Sequence, residues 1–381
     1  MKISGRVVTP WGVHDPGYLE IDGDTIVAVG EGSAPHAVPA GHWLVPGFVD
    51  IHTHGGGGHT FTTGDPEAAR QAAAFHLAHG TTTLVASLVS APFTLLRRAT
   101  IAYAPLVREG VLAGIHLEGP YLSAARCGAH HPDHLRDPSI DELRALIDLG
   151  DGAVRMVTLA PERPGALAAI EFLTAYGVVA AIGHTDATYE QTRAAIAAGA
   201  TVGTHVFNGM RPPHHRDPGP VFALLQEPSV ICELIADGVH LHPGTLAFAT
   251  SVTGPERAAL ITDAMAAAGM PDGEYELGGQ AVRVTAGVAR LARNGTIAGS
   301  TLTMDAALRA AVAAGVSMVD ACRMAATTPA RAIGLAGSVG ALAAGHRADL
   351  VHLDEQLRLV RVMRAGVWVV EARAHERRPL G

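Results

Sequence analysis

The chain has 381 residues, 48% hydrophobic and 17% charged, with glycine and proline spread along it; this allows one large domain with an appendage and argues against disorder. A net charge of −8 excludes a basic nucleic-acid-binding face, so any phosphate must be met by a few placed cations. Cys127, Cys232 and Cys322 are too scattered for a disulfide framework or a cysteine metal site, and Lys2 is the only lysine, which excludes a Walker-type loop, a Schiff-base lysine and a lysine bridging two metals.

Residues 1–45 alternate short apolar runs with turns, at 3–8, 17–21 and 25–29, and Asp22-Gly23 marks a hairpin. No apolar leader opens the chain and no uncharged stretch reaches membrane-spanning length, so a cytoplasmic protein without a membrane partner is expected. The same short-strand style returns at 349–353, 359–362 and 367–370, so 1–45 and 345–381 are expected to pair into a small β-sandwich domain.

Between them, over 46–344, apolar β runs at 44–51, 82–88, 111–117, 154–159, 178–182, 201–206, 229–235 and 259–261 alternate with helical stretches at 66–78, 92–107, 141–149, 164–176, 189–198 and 244–251. Eight such units predict an α/β fold of the (β/α)8 TIM-barrel type. The alternative, a doubly wound open sheet, calls for a glycine-rich phosphate turn after its first strand, where His52-Thr53-His54 stands instead. A β insertion near 271–298 and helices at 301–314 and 317–326 follow.

Chemistry collects where the barrel strands should end, the rim that carries the active site in such barrels. His52 and His54, two apart on a strand, project to the same face. The third run ends in His116-Leu117-Glu118, the fifth in Gly183-His184-Thr185-Asp186, the sixth in Thr204-His205-Val206-Phe207-Asn208 and the eighth in Thr262-Asp263. Four imidazoles and two carboxylates there form one or two divalent-metal sites with an acid/base beside them.

These motifs resemble the amidohydrolase superfamily. The fuller match is to its N-acetylglucosamine-6-phosphate deacetylase family, through Pro46-Gly47-Phe48-Val49-Asp50-Ile51-His52-Thr53-His54-Gly55, His116-Leu117-Glu118-Gly119-Pro120-Tyr121, Gly128-Ala129-His130, Gly183-His184-Thr185, Thr204 to Asn208, Asp237-Gly238-Val239-His240, Thr262-Asp263-Ala264 and Ala298-Gly299-Ser300. The resemblance covers nearly the whole chain. It implies metal-dependent hydrolysis of an amino-sugar phosphate's acetamide in amino-sugar catabolism and cell-wall recycling; another amidohydrolase activity, on a cyclic amide or an N-acyl amino acid, is the alternative.

Carried over residue by residue, the resemblance gives the principal metal to Glu118, His184 and His205. His52 and His54 match a pair that only some members use for a second metal, so one or two ions per subunit are expected, zinc first and iron, manganese or cobalt as alternatives. Asp263 becomes the general base and acid, and His130 the oxyanion donor. Ala129, Asn208, Gly209, Leu302 and Met304 fall in substrate-binding segments. His240 and Arg216 take the phosphate side, Arg216 in a stretch that often reaches the neighbouring subunit of a homodimer; Arg211, His214 and His215 compete for its role. The loop 122–127 between Glu118 and His130 would act as a lid, with Cys127 where many relatives carry a basic residue.

Overall fold

The computed structural model describes residues 1–371; the part of the expected terminal domain beyond 371 lies outside them. Eight parallel strands form the main sheet, in the order Phe48–Thr53, Thr81–Leu88, Gly114–Glu118, Val154–Leu159, Val179–Ile182, Val202–Gly203, Ile231–Ile235 and Ala258–Ile261. Each strand pairs with the next one in the chain, which is the barrel connectivity expected from βα alternation. The last strand meets the first at the rim, where the Asp263 N–H donates to the His52 carbonyl at 2.9 Å and the His54 N–H to the Ala264 carbonyl at 2.7 Å.

Local sequence explains the helices around this barrel. Asp65 caps Pro66–Ala78 by accepting from the Glu67 N–H, Ser139 caps Ile140–Gly150, and Thr188 with Gln191 forms a capping box on Tyr189–Ala197. Their alanine- and leucine-rich inner faces pack on strands that are buried on both sides, hence the near-continuous apolar runs. Within the barrel a polar chain lies under the rim: Ser87 Oγ to His116 Nδ1 at 3.0 Å, His116 Nε2 to Thr158 Oγ1 at 2.8 Å, and Thr158 Oγ1 to Thr204 Oγ1 at 2.8 Å. Burial pushes His116 well below the ordinary histidine range, so the chain is one of neutral hydrogen bonds.

The two ends of the chain build one mixed sheet. Trp43–Pro46 is its hinge, parallel to Lys2–Thr9 on one side and antiparallel to Leu350–Leu353 on the other. Ile3, Val7, Leu19, Ile26, Leu44, Leu350 and Met363 form its core.

Two expected strands differ in extent. The run 44–51 is divided at Gly47 between the terminal sheet and the barrel, because a Cβ there would lie 2.3 Å from Thr82 Oγ1. The run 201–206 shortens to Val202–Gly203, because His205 and Phe207 take left-handed backbone angles, φ 27° and 82°. The β insertion consists of Gly273–Leu277, Gln280–Thr285 and Val288–Leu291, antiparallel, with apolar side chains clustered with Val89, Met265 and Ala267. Among the described residues no helix is long and apolar enough to cross a membrane.

Candidate active site

Six side chains predicted from the strand ends converge at the barrel mouth. Glu118 Oε1 lies 3.1 Å from His184 Nε2 and 2.9 Å from His205 Nε2, and those two nitrogens are 3.2 Å apart. On the other side, Glu118 Oε2 is 3.1 Å from His54 Nε2, which is 3.3 Å from His52 Nε2 and 3.2 Å from Asp263 Oδ1. All six are buried, and they fall into two donor groups, Glu118 with His184 and His205, and His52 with His54 and Asp263. Glu118 reaches both groups: Oε1 lies against His184 and His205 and 3.5 Å from His52 Nε2, and Oε2 lies against His54.

The chain bends sharply to aim them. His184, His205 and Asp263 all sit at positive φ, 48°, 27° and 49°, a conformation costing roughly 1–3 kcal/mol for a residue with a Cβ and concentrated at functional sites. Gly209 (φ 60°) shows how tight the packing is: a Cβ there would lie 2.7 Å from His184 Nδ1.

The far side of each imidazole is anchored. His184 Nδ1 donates to the Arg126 carbonyl at 2.8 Å, His205 Nδ1 to the Asn208 carbonyl at 3.1 Å, His54 Nδ1 to the Ser87 carbonyl at 3.1 Å and His52 Nδ1 to Glu233 Oε2 at 3.0 Å. Each ring therefore carries its hydrogen outward and turns the Nε2 lone pair inward, the arrangement of a metal-ligating histidine.

Lone pairs this close repel unless a cation or proton lies between them. Tetrahedral coordination with bonds of about 2.0–2.1 Å spaces neighbouring ligand atoms about 3.3–3.4 Å apart, close to the separations found. The electrostatics agree. Burial would push Glu118 and Asp263 up, yet His52 and His130 hold Glu118, and His54 and His52 hold Asp263, below the ordinary carboxylate range. Burial opposes protonation of His54 and His52, but Asp263 and Glu118 bring His54 to about 9, and Glu118 and Glu233 raise His52. The pocket demands positive charge, and the donor set fits divalent metal ions.

A cavity of about 250 Å³ opens onto these groups. His130 and Ala129 enter it from the loop after Glu118, Asn208 and Gly209 from the turn after the sixth strand, His240 from beyond the seventh, and Leu277 from the β insertion. Gln280 of that insertion donates to the Ala129 carbonyl, tying the loop in place. The Ser90 N–H donates to His130 Nδ1 at 3.1 Å, which leaves the hydrogen on Nε2, 3.3 Å from Glu118 Oε2. Burial lowers His130 to about 4, so it is a neutral donor facing the centre. Despite burial, Asp237 holds His240 above the ordinary histidine range through a 2.6 Å contact.

Arg216 is placed elsewhere. Its guanidinium is exposed and hydrogen-bonded to His215 Nε2 at 2.7 Å, outside the cavity of its own chain. Arg211 is engaged by Asp186 and Asp217, each at 3.2 Å. Leu302 and Met304 are buried beside the rim without lining the cavity; the Leu302 N–H donates to Ser300 Oγ at 3.0 Å and Met304 packs in the barrel core. Cys127 is half-buried, with its carbonyl accepting from the His130 N–H at 2.9 Å.

Two carboxylates were missed by the sequence reading. Glu233 is fully buried in Ile231–Ile235 and accepts both from His52 Nδ1 and, at 3.1 Å, from the His205 N–H. Asp50 accepts from Thr262 Oγ1 at 2.6 Å and from the His52 N–H at 3.3 Å, with burial raising it to about 7. Each had a signal: an acid inside an otherwise apolar strand needs a buried partner.

Comparison with known proteins agrees with this geometry. The chain is 39% identical to the N-acetylgalactosamine-6-phosphate deacetylase of Escherichia coli O157:H7, over 94% of this chain and 96% of that one, and 38% identical to the N-acetylglucosamine-6-phosphate deacetylase of Lysinibacillus sphaericus, over 86% and 85%. The structure of an aspartate-to-alanine variant of the Mycobacterium smegmatis N-acetyl-D-glucosamine-6-phosphate deacetylase, in complex with N-acetyl-D-glucosamine-6-phosphate, superposes with a TM-score of 0.95 at 52% identity, covering 97% of this chain and 99% of that one. Since the amidohydrolase family pattern also matches residues 43–369, the chain belongs to the amidohydrolase family.

Proposed function

We propose that the chain hydrolyses the acetamide of N-acetylglucosamine-6-phosphate, releasing acetate and glucosamine-6-phosphate. The observation that carries this reading is the conjunction, around one cavity, of two cation-demanding donor groups, one of them containing the Asp263 carboxylate, with the neutral His130 N–H. The Mycobacterium smegmatis enzyme, similar over nearly the whole chain, supports the substrate.

In this reading Glu118, His184 and His205 would hold the principal divalent metal, and His52 and His54 would hold a second beside Glu118. An imidazole-rich nitrogen and oxygen set suits zinc first, with iron, manganese or cobalt as alternatives. When bound, such an ion lowers the pKa of water to about 7 and polarises the carbonyl. Asp263 takes the attacking water's proton and returns it to the amine, which is too basic to leave unprotonated. His130 donates to the oxyanion, a contribution of roughly 3–4 kcal/mol for one well-placed donor. Ala129, Asn208 and Gly209 contact the sugar, with Leu302 and Met304 supporting that wall.

His240 meets the phosphate from within. Among the described residues, no arginine or lysine lines the cavity. Arg216, exposed and outside its own cavity, is therefore assigned to the phosphate of a neighbouring subunit's site in a homodimer, where its fork geometry suits phosphate oxygens.

A second sugar is favoured by a specific observation: the Escherichia coli relative acts on the galactosamine epimer. The test measures acetate release from N-acetylglucosamine-6-phosphate, N-acetylgalactosamine-6-phosphate and unphosphorylated N-acetylglucosamine, with metal content determined on the same sample. A clear preference for the phosphorylated glucosamine sugar is expected. Equal rates with and without phosphate would refute the phosphate assignment, and faster turnover of the galactosamine sugar would refute the epimer assignment.

A further inference from the structure

We propose that Glu233 is the positioning residue that determines whether the second cation site, that of His52 and His54 beside Glu118, is filled. This deepens the two-metal reading above and rests on it. Glu233 lies mid-strand in Ile231–Ile235 with no exposed surface, so its carboxylate has no water to face. One oxygen makes both of its hydrogen bonds: Oε2 accepts from His52 Nδ1 at 3.0 Å and from the His205 N–H at 3.1 Å. Its other oxygen, Oε1, has no partner. A single atom thus touches one member of each donor group.

The two contacts do different things. At His52 the bond selects the tautomer. With Nδ1 donating to Glu233, the Nε2 lone pair faces His54 Nε2 at 3.3 Å, Glu118 Oε1 at 3.5 Å and Asp263 Oδ1 at 3.6 Å. At His205 the tautomer is already fixed from elsewhere, by the Asn208 carbonyl at 3.1 Å. What Glu233 gives His205 is an acceptor for the backbone N–H of a residue held at φ 27°.

Loss of Glu233 therefore unlocks the imidazole of one donor group and leaves the imidazoles of the other locked. A carboxylate behind a ligating imidazole also makes the ring a stronger donor, and removing such a partner weakens metal binding by about 10- to 100-fold. The placement accounts for the acid itself: a buried carboxylate with one oxygen unpaired is tolerated where positive charge is close, and the nearest place for that charge is His52 or a cation on its far side.

The test compares wild type, Glu233→Gln, Glu233→Ala, His52→Gln and the Glu233→Ala/His52→Gln double variant. Each chain is loaded with zinc, dialysed, and read for zinc per chain and for zinc release to a graded chelator. Wild type is expected to hold two equivalents. Glu233→Ala should keep one at wild-type affinity and release the other at about 10- to 100-fold lower chelator concentration. Glu233→Gln, which keeps an acceptor oxygen but no charge, should fall between, and being nearly isosteric it keeps the test decisive should the alanine variant fail to fold. The double variant should match His52→Gln alone, since the effect passes through that ring.

Two equivalents with unchanged release in both Glu233 variants would overturn the proposal alone. So would equal weakening of both sites, which marks a merely structural role. A wild-type chain that holds one equivalent, unaffected by His52→Gln, overturns the proposal together with the two-metal reading.

Discussion

The Ser90 N–H points at His130 Nδ1 from 3.1 Å, so the one nitrogen-bound hydrogen of that ring faces the reaction centre. Because burial lowers His130 to about 4, it donates as a neutral group throughout the working pH range. His130→Ala is expected to lower kcat by about 10²- to 10³-fold with a small change in KM, the signature of a donor used in the transition state. Steady-state kinetics check this; an unchanged kcat would remove His130 from the mechanism.

Asp263→Asn removes the proposed proton shuttle while keeping a side chain that tolerates positive φ, here 49°. Turnover should fall by about 10²- to 10⁴-fold with the thermal midpoint little changed. Activity near wild type would require another base.

If Arg216 meets the phosphate as proposed, Arg216→Ala should raise KM for the phosphorylated sugar roughly 10- to 100-fold with kcat nearly constant. Mixing this chain with Asp263→Asn chains gives the decisive readout. Hybrid dimers regain one complete site if Arg216 acts across the interface, and regain nothing if it acts within its own chain.

His240 titrates above the ordinary value of 6.5 because Asp237 outweighs its burial. Its folded pKa is raised, so the cation proposed to meet the phosphate persists above the ordinary value and is lost as pH rises through the folded value. KM for the phosphorylated sugar should therefore climb on the alkaline side. Asp237→Asn should move that rise to lower pH, and a KM indifferent to this substitution would exclude His240 from the phosphate.

Chelation should abolish turnover and lower the thermal midpoint, since ligand binding to the native state is stabilising. The metal-free protein then relies on protons at His54 and its neighbours. With His54 raised from 6.5 to about 9, that stability is complete below 6.5 and is lost as pH climbs towards 9. Scanning calorimetry of the chelated and loaded forms between those limits should show the gap between their midpoints widening with pH.

The barrel and its rim were legible because two periodicities coincide: strand alternation puts His52 and His54 on one face, and chain order puts Glu118, His184, His205 and Asp263 at successive strand ends. Gly47 hid the division of its apolar run, because the reason for the break is a close approach to Thr82, far away in sequence. The sixth strand was read too long because no residue type announces a histidine at φ 27°. Glu233 escaped notice as a single acid in an apolar run, meaningful only once His52 is seen beside it. The wall that Leu277 contributes depends on how the β insertion folds back over the lid loop, which local pattern does not encode.

The seam between the last strand and the first carries a temporal consequence. The His52–Asp263 and His54–Ala264 backbone bonds that close the barrel also bring Asp263 to the two histidines. A nascent chain displays His52 and His54 about 200 residues before Ala258–Ile261 is synthesised, at ordinary synthesis rates roughly 10–40 s earlier. Until then the pair has no aspartate and the barrel has no lid to its seam. Competence thus cannot precede topological completion, and a chain stalled or truncated before Asp263 lacks the carboxylate on which the proposed reaction depends.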